Sequence, residues 1–259
     1  MSILLLFLLL VFGALIVCGE MEWVKGKRAF TWKRYHSDPS YFLSMFNLLM
    51  EPHPVPIIDM ESKESPYSET SLMLKHNWKM IRDEALAMDY DFDNTAKNEA
   101  MFTERLTDDG KWSRFYIKWY HETFDPLALE RLPKTCALLK ALPEVQIALL
   151  SYVAPGAVIK PHVGISRECI RVHLCLKSAE GAYIEVDGER YSWKDGEIFG
   201  FDDTFIHSVE NKSDDQGRLI LFLGIARDCK TDIGKFVQKM AFFLGKTILG
   251  KGKTNALIA

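Results

Sequence analysis

From Val145 onward, the sequence carries five short segments rich in branched and aromatic residues, and these constrain the fold more than any other feature. Turn signals separate them, and in order they are QIALLSYV, IRVHLCL, AYIEV, EIFGF and RLILFLGI. Asp187-Gly188 and Asp195-Gly196 are dipeptides typical of tight β-hairpins. Several short strands at this spacing predict an all-β sandwich or barrel. Helices predicted at residues 72–88 and 135–142 would pack on its outside.

Near the start of the chain, residues 3–18 form an uninterrupted apolar run, ILLLFLLLVFGALIVC. As a helix rising ~1.5 Å per residue, it would cover roughly 24 Å, slightly less than a ~30 Å hydrocarbon core. A cleaved signal peptide is the alternative, but no basic residue precedes the run. The basic stretch EMEWVKGKRAFTWKR follows it and predicts that the body lies on the cytoplasmic side of a membrane. We therefore expect a single-pass transmembrane anchor at residues 1–20 and a basic juxtamembrane segment and loop at residues 21–70.

The last part of the chain, residues 230–259, mixes phenylalanines with lysines and is predicted to be a basic amphipathic segment. One interpretation is a helix that lies on an anionic membrane surface, with the lipid bilayer as its partner. The other is a helix that covers the domain and keeps its lysines in water. The sequence leaves both open.

Composition narrows the class of protein. The chain has 32 basic and 35 acidic side chains, so it lacks the basic excess of a broad nucleic-acid-binding surface, and we expect no nucleic-acid partner. Its five cysteines are scattered and form no CxxC, which argues against a zinc ribbon or a disulfide scaffold and favours a reducing compartment.

Three of the seven histidines lie in or beside the predicted strands: His162, His173 and His207. Two histidines on adjoining strands of a small barrel can point into one mouth and share a metal, and neutral imidazole suits iron, zinc or copper. Spacing alone is weak support, because single histidines are common in strands.

Arg218 strengthens the case for a site. It begins the apolar strand RLILFLGI, where a guanidinium is costly unless a carboxylate or phosphate meets it. Either it pairs with a local acid, such as Asp214 or Asp215, or it receives the carboxylate of a bound dicarboxylic acid. Arg171 is a second cation, placed by alternation on the same strand face as His173.

The run SYVAPGAVIKPHVGISRECIRVHLCL, then YSWKDGEIFGFDDTFIHSVEN and RLILFLGI, resembles the aspartyl/asparaginyl β-hydroxylase family over residues 133–228. That family consists of Fe(II)- and 2-oxoglutarate-dependent dioxygenases built on a double-stranded β-helix. The resemblance implies an all-β jelly-roll core with flanking α-helices, in an oxygenase domain at residues 71–229. It also implies an enzyme that uses Fe(II), 2-oxoglutarate and O2.

By position in that family, His162 and His207 match the two iron ligands. Arg218 matches the arginine that binds the distal carboxylate of 2-oxoglutarate, and Ser151 matches the serine that assists it. These roles are implied by the resemblance.

Three further residues are implied to line the same pocket. Arg171 and His173 match an Arg-x-His pair on the cosubstrate and substrate side. Asp203 matches an acid beside the metal that can hold a metal-bound water or orient a ligand. The adjacent Asp202 is a less certain candidate for the same role.

Gly164 stands where most 2-oxoglutarate oxygenases carry a third, carboxylate ligand. The peptide-hydroxylating branch of the family shares this His-x-Gly and lets water fill the site, whereas the lipid A acyl-chain hydroxylases more often have an acid there. The predicted anchor and the cluster RFYIKWY at residues 114–120 resemble the lipid A hydroxylases instead. In that cluster, alternation predicts that Phe115, Ile117 and Trp119 face the core.

Taken together, the sequence predicts a membrane-bound dioxygenase that hydroxylates an unactivated C–H, with an acyl chain of a lipid such as lipid A as the first substrate. It would lie at the inner membrane if the protein is bacterial. The alternative, favoured by Gly164, is a peptidyl aspartyl/asparaginyl β-hydroxylase. An alternative of another class is a non-catalytic, membrane-tethered binding module with a degenerate metal site.

Overall fold

The structure is a computed structural model, and it describes residues 53–88, 111–120, 124–164 and 167–245, together with Asn47, Leu49, Met50 and Leu106. The predicted anchor at residues 1–20 lies outside the described residues. Within the described part, no helix is long and apolar enough to cross a membrane.

Two antiparallel sheets form the body of the described chain. The elements in chain order are β1 (Ile57–Ile58), α1 (Ser68–His76), α2 (Trp78–Leu86), β2 (Trp112–Trp119), α3 (Pro126–Arg131), α4 (Pro133–Lys140), β3 (Val145–Val153), β4 (Val158–His162), β5 (Cys169–Lys177), β6 (Ala182–Val186), β7 (Glu189–Ser192), β8 (Ile198–Phe201), β9 (His207–Asn211), β10 (Arg218–Ala226) and α5 (Asp232–Leu244). The major sheet has the strand order β1-β8-β5-β10-β3-β2, and the minor sheet has the order β4-β9-β6-β7.

Alternation along the strands gives the major sheet two apolar faces. On β10, Leu219, Leu221 and Leu223 face outward and pack with buried side chains of α1, α2 and α4. Ile220 faces inward and packs with minor-sheet residues such as Ile184. Because consecutive side chains of a strand point to opposite faces, one sequence pattern serves both cores. The predicted all-β jelly-roll core with flanking helices is confirmed.

The helix predicted at residues 72–88 is wrong in its extent: the chain forms two helices, α1 and α2, and the first begins at Ser68. The break lies at Asn77, whose side chain donates a 2.8 Å hydrogen bond to the Met73 carbonyl. An asparagine that bonds to the backbone in this way competes with the helical ladder. The second predicted helix corresponds to α4, which begins at Pro133.

One of the two predicted hairpin turns is confirmed. Asp187 and Gly188 both have positive φ, 51° and 89°, and join β6 to β7, as expected for a two-residue hairpin. The hairpin predicted at Asp195-Gly196 is wrong, because this turn carries the chain from the minor sheet into β8 of the major sheet. The Asp195 carboxylate accepts a 2.6 Å hydrogen bond from the Ser178 amide, which ties the turn to the end of β5.

The edge strand β2 contains an irregularity that alternation does not predict. Its register with β3 shifts between Tyr116 and Lys118. Phe115 and Ile117 are buried in the outer core as predicted. Trp119 is not, because the shift turns it to the opposite face, where it packs with Tyr116 at a ring-centroid distance of 5.5 Å.

Candidate functional site

The two histidines of the minor sheet lie side by side. His162 ends β4, His207 begins β9, and the strand register pairs them directly. Their ring centroids are 4.1 Å apart. The pair therefore forms a compact two-imidazole site at one end of the minor sheet, facing the major sheet.

Backbone carbonyls set the protonation of both rings. Nδ1 of His162 lies 2.8 Å from the Lys160 carbonyl oxygen, and Nδ1 of His207 lies 3.0 Å from that of Phe205. A carbonyl only accepts, so in each ring Nδ1 carries the proton and donates it. Nε2 is then the nitrogen with the lone pair in both rings. This is the arrangement that protein second-sphere contacts impose on metal-binding histidines.

Arg218 is a buried guanidinium on the facing strand β10. Only 1% of the residue is exposed, and its Nε and Nη1 have no hydrogen-bond partner among the described residues. Its guanidinium lies 4.5 Å from the ring centroid of Trp193. Burial lowers the pKa of Arg218 to about 9. The local pairing with Asp214 or Asp215 that the sequence left open does not form, and an anionic ligand would satisfy this cation.

Ser151 lies on β3, next to β10 in the major sheet and buried on the inner face. Its Oγ accepts a 3.0 Å hydrogen bond from Nε1 of Trp112 on the edge strand β2. Because the indole N–H occupies an acceptor position of the hydroxyl, the Ser151 proton points elsewhere and is available as a donor. Arg114 is also buried on β2, with its guanidinium 4.5 Å from the Trp112 ring.

His173 lies on the inner face of β5 within an aromatic cage. Its ring centroid is 5.1 Å from Phe201 and 5.3 Å from Phe222. Neither ring nitrogen has a hydrogen-bond partner in the described structure. Burial, followed by the positive charge of Arg218, lowers the pKa of His173 well below its ordinary value. The ring is therefore a neutral imidazole, in which one nitrogen can donate a hydrogen bond and the other can accept one.

Asp203 occupies the position that a side chain at residue 164 would fill. A Cβ built on Gly164 would lie 2.2 Å from Cγ of Asp203, far inside van der Waals contact. The backbone locks the two together, since the Gly164 amide donates a 2.6 Å hydrogen bond to the Asp203 carbonyl. The His-x-Gly sequence thus leaves space near the histidines that a carboxylate from another part of the chain fills.

Arg171 holds that carboxylate in place. Its Nε lies 2.7 Å from Oδ2 of Asp203, and both side chains are largely buried. Burial alone would lower the pKa of Arg171, but the Asp203 carboxylate outweighs it and raises that pKa. Burial raises the pKa of Asp203, and Arg171 opposes the rise. Arg171 passes so close to Gly224 that a Cβ there would lie 2.9 Å from its Nη1.

Asp202 points away from the site, so the less certain candidate is not part of it. Its Oδ2 forms an ion pair with Arg227 and accepts a 2.7 Å hydrogen bond from Nη2 of that residue. Its Oδ1 accepts hydrogen bonds from the amide and hydroxyl of Thr204. Burial acts to raise the pKa of Asp202, but Arg227 and Thr204 outweigh burial and lower it. The sequence did not identify Arg227 as the partner of Asp202. The sequence feature that marks this residue is a basic side chain directly after an apolar strand.

The structure brings all seven predicted site residues between the two sheets: Ser151, His162, Arg171, His173, Asp203, His207 and Arg218. The minor sheet supplies the histidine pair, and the major sheet supplies the cations and the hydroxyl. Among the described residues, no three His, Cys, Asp or Glu side chains are grouped so as to hold a metal by themselves. The fold and site thus define a jelly-roll protein with a histidine pair on one sheet and a buried arginine, with unpartnered N–H groups, on the facing sheet.

Comparison with known proteins narrows this class. A family model described as aspartyl/asparaginyl beta-hydroxylase matches residues 75–228. The chain belongs to the aspartyl/asparaginyl β-hydroxylase family of 2-oxoglutarate-dependent dioxygenases. The predicted resemblance is confirmed.

Individual relatives agree with the family match. The human aspartyl/asparaginyl beta-hydroxylase is 34% identical over 207 residues, which are 73% of this chain and 26% of that protein. The human aspartate beta-hydroxylase domain-containing protein 2 is 31% identical over 127 residues, 46% of this chain and 34% of that protein. The chain thus spans about a third or less of the length of these relatives. Among solved structures, KdgF from Halomonas sp. aligns at a TM-score of 0.31 and 15% identity, covering 46% of this chain and 84% of its own.

Proposed function

We propose that this protein is an Fe(II)- and 2-oxoglutarate-dependent hydroxylase that oxidises the side chain of an aspartyl or asparaginyl residue in a peptide. The observation that carries the proposal is Arg218, a buried cation with unsatisfied N–H groups on the sheet facing the histidine pair. A protein gains nothing from such a charge unless a bound anion compensates it. A dicarboxylate that also reaches a metal on His162 and His207 meets both requirements.

The side chains of the site fit both Fe(II) and 2-oxoglutarate. Nε2 of His162 and of His207 would hold Fe(II), which imidazole suits. Arg218 and the Ser151 hydroxyl would hold the distal carboxylate of 2-oxoglutarate through charge-assisted hydrogen bonds. When bound, the iron and the cosubstrate supply the oxidising chemistry, in which O2 and 2-oxoglutarate convert a C–H into a C–OH and yield succinate and CO2.

The chain's own residues would orient the reactants and exclude water. His173 is neutral, so it can donate to or accept from a ligand without bringing a charge into the aromatic cage. Asp203, held by Arg171, is placed to accept hydrogen bonds from groups bound next to the histidines, in the position left open by Gly164. The phenylalanines around His173 keep the pocket wall dry, which strengthens these polar contacts.

A peptide substrate is supported by the family match and by Gly164, which departs from the acid we expect in lipid A hydroxylases. The relatives described above carry names that refer to aspartyl, asparaginyl or aspartate residues. This proposal reverses the order in which the sequence alone ranks the two substrates.

An acyl chain of a membrane lipid is the second candidate substrate, because helix α5 exposes large apolar side chains beside lysines. With it goes the proposal that residues 1–20 anchor the protein and hold the body at the cytoplasmic face of a membrane. A protein in that position would meet acyl chains more often than it meets secreted peptides.

Cosubstrate binding tests the core of the proposal. Under anaerobic conditions, the protein with Fe(II) and 2-oxoglutarate should develop the weak visible absorption of their chelate. His162→Ala should abolish this band, whereas His53→Ala, which changes a histidine outside the site, should leave it intact. A folded protein that never develops the band would support the non-catalytic binding module instead.

Turnover separates the substrates. Protein supplied with Fe(II), 2-oxoglutarate and O2 would be incubated either with a library of Asp- and Asn-containing peptides or with lipid A vesicles. Mass spectrometry would then look for the gain of one oxygen atom, with His207→Ala as the control. Oxygen gain in lipids but not in peptides would refute the peptide proposal and support the second candidate.

A further inference from the structure

Helix α5 follows the last strand of the major sheet and buries one of its sides against the described body. The Thr231 hydroxyl caps its start by accepting a 3.1 Å hydrogen bond from the Gly234 amide. Its buried residues are Gly234, Val237, Ala241 and Phe242. Phe242 contacts Tyr120 at a ring-centroid distance of 5.9 Å. This side accounts for the attachment of the helix to the domain.

A second apolar surface runs along the opposite side of α5. Ile233, Phe236, Met240 and Phe243 are 63%, 65%, 37% and 57% exposed, and we call them the α5 stripe. They are spaced three or four residues apart, so they follow one line on the helix. Monomeric proteins seldom expose several large apolar side chains side by side, and such patches mark contact surfaces.

Lysines border the α5 stripe. At 100° per residue, Lys235 and Lys239 project between the stripe and the buried side, and both are exposed. Residues 230–259 contain six lysines and a single acidic residue, Asp232. An apolar stripe beside lysines is the arrangement by which a helix lies in the interface of an anionic bilayer. A second copy of this chain would face the stripe with the same positive charges, which disfavours self-association.

We propose that the α5 stripe inserts into the surface of an anionic lipid bilayer while Lys235 and Lys239 contact the headgroups. This surface is separate from the site between the sheets, and the inference holds whether the substrate is a peptide or a lipid. The two interpretations that the sequence left open for this segment then both apply, one to each side of the helix.

The test uses the full chain with a spin label on the stripe. Phe236→Cys is labelled in a Cys18→Ser background, because the other four cysteines are buried. The protein is reconstituted with vesicles of neutral phosphatidylcholine, or of phosphatidylcholine mixed with anionic phosphatidylglycerol. Accessibility of the label to O2, which concentrates in lipid, is compared with accessibility to a water-soluble nickel complex. A label at Glu189→Cys, on an exposed position of β7, is the matched control.

With anionic vesicles, the label at position 236 should become accessible to O2 and shielded from nickel, while that at position 189 stays in water. Adding Lys235→Glu and Lys239→Glu should reduce the inserted fraction at least about tenfold, since each lysine near an anionic surface contributes on the order of 1 kcal/mol. All these positions are exposed, so the melting temperature should match that of the parent, which excludes misfolding.

Three results would overturn the proposal. The label at position 236 could stay accessible to nickel on anionic vesicles. It could be shielded equally on neutral vesicles, which would remove the role of the lysines. It could be shielded in detergent without lipid, increasingly with protein concentration, which would assign the α5 stripe to a second copy of the chain. The readout involves no turnover and is local to residue 236, so it depends neither on hydroxylase activity nor on residues 1–20.

Discussion

Replacing Arg218 by methionine should stabilise the protein in the absence of cosubstrate and abolish its binding of 2-oxoglutarate. The guanidinium is fully buried and its Nε and Nη1 lack partners in the described structure, so the folded state bears an uncompensated desolvation cost. Methionine has a similar length and fits apolar surroundings without that cost. Stability and cosubstrate binding should therefore change in opposite directions.

The size of the effect follows from the pKa. The fall in the pKa of Arg218 from 12.5 to about 9 is roughly three and a half pH units, and each unit corresponds to about 1.4 kcal/mol. That sets an upper limit of about 5 kcal/mol on the gain, and we expect about 2 kcal/mol or more, since apolar replacement of buried charges gains ~1–4 kcal/mol.

The pH dependence has a definite sign. Above pH ~9 the folded protein loses a proton that the unfolded arginine retains, so the free energy of unfolding of the parent should rise with pH there. Arg218→Met should lack that rise. Below pH ~9 the full cost is present in the parent.

Urea unfolding with and without 2-oxoglutarate and Mn(II), used as a redox-stable substitute for Fe(II), measures both quantities. At one hundred times its dissociation constant, a ligand adds about 2.7 kcal/mol to the parent, and it should add nothing to the variant. Arg190→Met is the control, because the ion pair of Arg190 with Glu185 is exposed to solvent and should change the stability little. A variant that is less stable than the parent in the absence of ligand would refute the reasoning, since Arg218 would then have a compensating partner within the protein.

Three further predictions concern the surroundings of the site. Gly164→Ala should displace the Asp203 carboxylate and lower the free energy of unfolding by ~1–3 kcal/mol in urea. Adding Asp203→Gly should recover part of this loss, and strictly additive effects of the two changes would contradict the clash. Arg227→Met should lower the free energy of unfolding by ~3–5 kcal/mol at neutral pH, because it leaves the Asp202 carboxylate buried and without its ion pair. This loss should shrink as acid protonates the carboxylate, and a loss independent of pH would argue against the ion pair as its cause. Trp112→Phe should weaken 2-oxoglutarate binding by up to about tenfold in a titration, because the Ser151 hydroxyl loses the indole N–H that orients it. An unchanged affinity would show that this hydrogen bond has no such role.

The strands were the most predictable part of the molecule. AYIEV corresponds residue for residue to β6. In a half-buried strand, alternate residues face the core, so the sequence itself shows the alternating pattern of the strand. Two of the failures, the Asp195-Gly196 hairpin and the facing of Trp119, involve partners distant in sequence, whereas the helix break at Asn77 is local. Asp195-Gly196 is a sound turn signal, but the dipeptide carries no information about which sheet receives the next strand. The register shift in β2 likewise depends on how β3 lies beside it.

The candidate site shows the same division. Spacing and family resemblance marked the histidines and Arg218 from the sequence, and the structure brings them together, while their chemical roles stay proposals. Neither signal could reveal that the carboxylate of Asp203 fills the volume beside Gly164, since these residues are 39 positions apart and meet only through folding. The same holds for Arg227, which is held to Asp202 across two strand ends.

The division of the site between two sheets has a mechanical consequence. No strand pairing joins the minor sheet to the major one in the described structure, so side-chain packing sets the gap between the histidines and the arginines. A ligand that contacted the histidines and the arginines together would connect the two sheets, and its affinity would depend on the distance between them. Conservative changes far from the pocket, such as trimming a valine or isoleucine between the layers, should then loosen cosubstrate binding well before they unfold the domain.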